Sequence, residues 1–151
     1  MRKMKEKYAQ PGEFTTLELM AVCGARAIRN HEVVFIGTGL PMIAAMLAKK
    51  THAPEAKIVY EAGFIDSNAV DIALSIADSR LGYRASGAIG LIETLGLMLQ
   101  GGHVDVGFVG AAQIDERGNI NTTWIGSFEN PTVRLPGSGG GNDIVSSAKR
   151  I

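Results

Sequence analysis

Two stretches decide the fold. Glu32-Val33-Val34-Phe35-Ile36 runs into Gly37-Thr38-Gly39-Leu40-Pro41, and Lys57-Ile58-Val59-Tyr60 runs into Glu61. The first is β-branched and aromatic, as a strand requires, and its glycines turn the chain. Pro41 suits the first turn of a helix, where a missing N–H costs nothing. That helix is expected from Pro41 to Lys50, its closing lysines matching the negative helix end. Lys57 to Tyr60 is the next strand. Strand, helix and strand in this order predict a parallel sheet with a right-handed crossover, and therefore an α/β domain with an open, mostly parallel sheet and flanking helices.

Outward from this unit, Thr15-Thr16-Leu17-Glu18 reads as a capping box that starts a helix running to about Arg29. Leu19, Val22, Cys23 and Ala27 are its expected buried stripe. Asn68 to Ala77 is weakly helical, and Ile89 to Gln100 is a stronger helix despite Gly90 and Gly96. Gly101-Gly102 ends it. Val104 to Val109 reads as a buried strand. Asp115 to Asn119 is a polar turn before a strand at Ile120 to Ile125. Asn142 to Lys149 is a possible helix start. No internal repeat or linker is found, so residues 1–14 are read as a basic tail and 15–151 as one domain.

Composition narrows the classes. Of 151 residues, 15 are Lys or Arg and 15 Asp or Glu, so the net charge is zero. That excludes holding nucleic acid by bulk electrostatics. A chain 46% hydrophobic and 20% charged is not disordered. The N-terminus carries Arg2, Lys3, Lys5 and Lys7 but no apolar segment of the signal-peptide kind. No run approaches the ~18 apolar residues of a membrane span, so no membrane role is expected and the cytoplasm is the default location. Cys23 is the single cysteine, so no intrachain disulfide can form, and it is expected as a small core hydrophobe. His31, His52 and His103 are widely spaced without paired acids, and no metal site is expected. No G-x-S-x-G elbow is present.

The glycines are lopsided: of 19, five lie at or before position 81 and fourteen after it. Three constellations hold candidate chemistry. Gly37 and Gly39 after a strand, with Glu61 ending the next, outline a dinucleotide site, but Met42 stands where a third glycine belongs. Glu61 itself leaves the C-terminal edge of a parallel strand, where α/β sheets bind ligands, with small Ala62 and Gly63 beside it. Finally, Gly137-Ser138-Gly139-Gly140-Gly141-Asn142-Asp143 can offer successive amides to an anion, although it is no Walker motif. Gly110-Ala111-Ala112-Gln113 follows the buried strand, and Gln113 could orient a polar group.

Together, Ile58 to Gly63, the segment from Gly101-Gly102-His103 through Gly110-Ala111-Ala112-Gln113-Ile114-Asp115 and Gly118-Asn119-Ile120-Asn121, the 137–143 loop and Gly37 to Pro41 resemble the β subunit of family I coenzyme A transferases, of the glutaconate CoA-transferase type. The resemblance covers nearly the whole chain after the basic tail. It implies the CoA-transferase, NagB-like fold. It implies Glu61 as a nucleophile that carries a glutamyl-CoA thioester. The Gly139 and Gly140 amides are then the candidate oxyanion donors, and Gly37, Gly39, Gln113, Gly137 and Gly141 the candidate binding residues. Coenzyme A and acyl-CoA then enter as substrates, with no tightly bound cofactor, and a separate α subunit completes the site. Family β subunits are considerably longer, so the chain looks like the front part of one. The alternatives are a CoA-dependent hydrolase on the same scaffold and a nucleotide-binding module using Gly37, Gly39 and Glu61. Retention of Glu61, replaced in ring-opening members, favours transfer. Arg80, Arg84 and Arg134 receive no role.

Overall fold

The computed structural model describes residues 12–37, 39–67, 72–73, 75–76 and 78–151. A mixed five-stranded sheet forms its centre, in the order β4 (Gly87–Ala88), β3 (Phe64–Ile65), β2 (Lys57–Tyr60), β1 (Val33–Ile36), β5 (Val106–Gly107). Strand β1 (Val33–Ile36) pairs parallel with β2 (Lys57–Tyr60), with Val34 opposite Ile58, and parallel with β5 (Val106–Gly107). Helix α2 (Leu40–Thr51) makes the β1–β2 crossover and carries Pro41 in its first turn, as expected. Beyond β2 the sheet departs from the parallel expectation. The chain turns back at once, so β3 (Phe64–Ile65) and β4 (Gly87–Ala88) add antiparallel strands.

The strand pleat divides the core. Alternate side chains point to opposite faces, and Val34, Ile36, Ile58 and Tyr60 pack with Ala25, Ile28, Met42 and Ala45 on one side. Phe35 and Val59 pack with Leu99, Val104 and Ile144 on the other. Helices α1 (Thr16–Arg26) and α2 therefore cover one face. A π-helix (Glu93–Gln100) and α3 (Gly141–Ser147) cover the other.

The capping box of α1 is present. The Glu18 amide donates to Thr15 Oγ1 at 3.2 Å, and the Thr15 amide donates to Glu18 Oε2 at 2.6 Å. The expected buried stripe is not. Leu19, Val22 and Cys23 are exposed, and α1 buries Ala21 and Ala25 instead. A Cβ at Gly24 would lie 3.0 Å from that of Ala44. The two helices approach so closely that only small residues fit between them, which turns the larger apolar side chains and Cys23 outward.

Other expectations need adjusting. Of Ile89 to Gln100, residues 91–92 are α-helical, and Glu93–Gln100 widens into the π form. The strand read from Val104 to Val109 is laddered only at Val106–Gly107. The single strand read at 120–125 is instead parts of two hairpins: β6 (Gln113–Ile114) with β7 (Ile120–Asn121), and β8 (Trp124–Gly126) with β9 (Pro131–Arg134). The weak helix at Asn68–Ala77 lies largely outside the described residues. Among the described residues, no helix is long and apolar enough to cross a membrane.

Candidate active site

Three parallel strands bring their C-terminal ends to one edge, which is where open α/β sheets hold ligands. β1 leads into Gly37, β2 into Glu61, and β5 into Phe108, Val109 and Gly110. All of these residues line a cavity of about 410 Å³. Its opposite wall comes from Thr122 and Thr123, which join β7 to β8, and from Gly137, Ser138, Gly141 and Asn142. Of the described lining residues, Glu61 alone carries a charge; the others offer neutral dipoles and apolar surface.

Glu61 is held from both sides. Behind it the chain reverses in a tight turn, with the Gly63 amide donating to the Tyr60 carbonyl at 2.8 Å. Gly63 has φ +95°, and a Cβ there would lie 1.9 Å from the Ile89 carbonyl oxygen. Only glycine meets both conditions. In front, the Gly140 amide donates to Glu61 Oε1 at 3.2 Å, across 79 residues of sequence. This contact joins two stretches that stand far apart along the chain.

The structure groups some predicted residues and separates others. Gly37, Glu61, Gly137 and Gly141 line the cavity, and Gly140 reaches it through Glu61. Gly39 sits instead at the N-cap of α2 with φ +84°, where it turns the chain into the helix. Gly139 makes the loop turn with φ +50° and is not on the described wall. Gln113 stands on β6 outside the cavity, its Oε1 accepting from Asn121 Nδ2 at 2.8 Å. Phe108, Val109, Thr122, Thr123 and Asn142 are wall residues that sequence reading missed. The end of a parallel strand could have pointed to Phe108 and Val109, whereas the threonines carry no signal of their own. Among the described residues, no three His, Cys, Asp or Glu side chains come together in a way that could hold a metal ion.

Residues 17–151 match the family described as Coenzyme A transferase. The chain belongs to that family. Over 138 residues it is 46% identical to the β subunit of 3-oxoadipate CoA-transferase of Pseudomonas knackmussii, a match that covers 91% of this chain and 53% of that relative. Over 142 residues it is 36% identical to the β subunit of glutaconate CoA-transferase of Acidaminococcus fermentans, covering 91% and 53%. The chain thus spans about half the length of these CoA-transferase relatives. The crystal structure of glutaconate coenzyme A-transferase from Acidaminococcus fermentans superposes with a TM-score of 0.81 at 34% identity, covering 91% of this chain and 55% of that one. The decarboxylase AibA/AibB superposes at 0.79 with 28% identity, covering 91% and 58%. The family scaffold therefore supports more than one chemistry, and the site itself has to discriminate between them.

Proposed function

We propose that the chain acts within the β subunit of a CoA-transferase, moving coenzyme A between an acyl-CoA and a free carboxylic acid through a thioester on Glu61. The observation that carries this reading is the Glu61 carboxylate on the cavity wall, with Oε1 bound by the Gly140 amide at 3.2 Å. One oxygen is held, which leaves Oε2 as the attacking atom.

Oε2 attacks the thioester carbonyl, the C–S bond breaks, and an acyl-glutamyl anhydride and the CoA thiolate result. The thiolate then attacks the glutamyl carbonyl. It expels the original acid as its carboxylate and leaves glutamyl-CoA. An incoming carboxylate reverses both steps and departs as the new acyl-CoA. Overall one thioester and one carboxylate are exchanged for another of each, so the reaction needs no other co-reactant. Covalent catalysis here divides one difficult exchange into easier ones. Coenzyme A enters as a substrate, and the chemistry calls for no resident cofactor. Once Glu61 is acylated, its charge is lost. The Gly140 amide is then available to the oxyanion of the next tetrahedral intermediate.

The relatives are named for 3-oxoadipate and glutaconate, both dicarboxylic acids, and we carry that substrate class to this chain. Their naming as one subunit of a pair supports an α subunit as partner.

The test uses the complete enzyme with both subunits. After incubation with acyl-CoA, borohydride should reduce the thioester on Glu61 to an alcohol that peptide mapping locates. Glu61→Gln and Glu61→Ala should lose both the adduct and transfer, by roughly 10³-fold or more. Full transfer by Glu61→Ala would sink the mechanism. CoA release to water without an acceptor acid would instead favour a hydrolase, and tight NAD binding with indifference to CoA would favour the nucleotide module.

A further inference from the structure

Gly140 can hold Glu61 only if the glycine loop itself is held. Two of the loop's hydrogen bonds lead to one place. The Gly137 amide donates to the Thr122 carbonyl at 2.8 Å, and the Leu135 amide donates to the Thr123 carbonyl at 3.0 Å. Thr122 and Thr123 belong to no strand, so no ladder fixes them. What fixes them is the side chain of Asn121. Its Oδ1 accepts from the Thr123 amide at 3.0 Å, and its Nδ2 donates to the Trp124 carbonyl at 2.7 Å and to Gln113 Oε1 at 2.8 Å. One half-buried amide thus closes the 121–124 turn in both directions and ties it to the β6–β7 hairpin.

We propose that Asn121 is a positioning residue for the transfer reaction. It sets the Thr122-Thr123 carbonyls, these seat the loop from Leu135 to Gly137, and the loop presents the Gly140 amide to Glu61. Asparagine suits the task because one group must accept one bond and donate two. Aspartate has the same shape but would set a carboxylate oxygen against two acceptors. Serine has a single O–H donor on a shorter side chain, so it cannot supply both donated bonds while also accepting one. The inference rests on the Glu61 reading, since it concerns what holds that nucleophile.

The test compares Asn121→Asp, Asn121→Ser and Glu61→Gln with wild type in the complete two-subunit enzyme. For the Asn121 variants, kcat should fall about 10- to 100-fold, the cost of a slightly misplaced reacting group, with KM for acyl-CoA within about threefold of wild type. Glutamyl-CoA formation in a single turnover should slow by the same factor. Amide hydrogen exchange should quicken at residues 137–140 and stay unchanged in β1 and β2, which a general loss of stability would not spare. A kcat within about twofold of wild type, a raised KM at constant kcat, or unchanged loop exchange would each overturn the proposal. If Glu61→Gln remains active, the parent reading falls. If Glu61→Gln is inactive and both Asn121 variants are fully active, the Asn121 proposal alone falls.

Discussion

At Gly140 the backbone is ordinary, φ −76°, yet an added side chain would meet the carboxylate that its amide binds. A Cβ there would lie 2.6 Å from Glu61 Oε1 and 3.6 Å from Leu95 Cδ2. Gly140→Ala should therefore fold normally but displace the carboxylate it now binds. The amide N–H is kept but the carboxylate is moved, so we expect transfer to drop by about 100-fold, the cost of a misplaced reacting group. A thermal unfolding midpoint close to wild type, measured on the same preparation, would separate this from a folding defect. Glu61 was legible because an acid leaving a parallel strand occupies the functional edge of such a sheet. Its contact with Gly140 was not, because no local rule relates residues so far apart in the chain. Gln113 shows the converse: a polar residue beside a glycine-rich segment invites a binding role, but its side chain serves Asn121 instead.

Among the elements, the β3–β4 pair depends on a single glycine. Gly63 combines a left-handed φ with contact on the Ile89 carbonyl, so Gly63→Ala meets both backbone strain and a steric clash. We expect a loss of about 2–4 kcal/mol, read as a lower denaturation midpoint in urea with a similar slope. Helix α1 carries a different lesson. Its start was legible from Thr15 and Glu18, because a capping box is a local hydrogen-bond pattern. Its buried face was not. Periodicity names the bulky apolar residues, but α2 lies too near to admit them, and Ala21, Gly24 and Ala25 face it instead. The same limit applies to β6 through β9, whose short ladders show too little alternation to be read.

Across the whole molecule, ion pairs fasten elements distant in sequence. Lys149 Nζ meets Asp105 Oδ1 at 2.8 Å, and Arg150 Nη2 meets Glu32 Oε2 at 2.9 Å, tying the residues after α3 back to the sheet. Asp66, largely shielded from solvent, pairs with Lys49 of α2 and with Lys57 of β2. Burial pushes the Asp66 carboxyl up, but hydrogen bonds from the two ammonium groups outweigh it and hold the pKa below the ordinary 3.8. A carboxylate with a depressed folded-state pKa adds stability above its unfolded pKa and loses it as pH falls through the folded value. Wild type should therefore lose thermal stability as pH drops from about 5 to about 2, while Asp66→Asn should be less stable at neutral pH and show a flatter acid limb. Melting temperature against pH for the two proteins checks this; parallel curves would contradict it.

What the sequence determined by itself was everything carried by local chemistry: the strand–helix–strand unit, the capped start of α1, Pro41 in its helix, Glu61 at a strand end and the glycine loop as a supplier of amides. Periodicity, capping and turn preferences act over a few residues, so they can be read from a few residues. Only the tertiary structure decided which side of α1 is buried, that β3 and β4 run antiparallel, and that Glu61, Gly140, Thr122 and Asn121 form one connected arrangement. Those outcomes depend on how closely helices approach and on which carbonyl lies opposite which amide. Packing and long-range hydrogen bonding settle such distances for the chain as a whole.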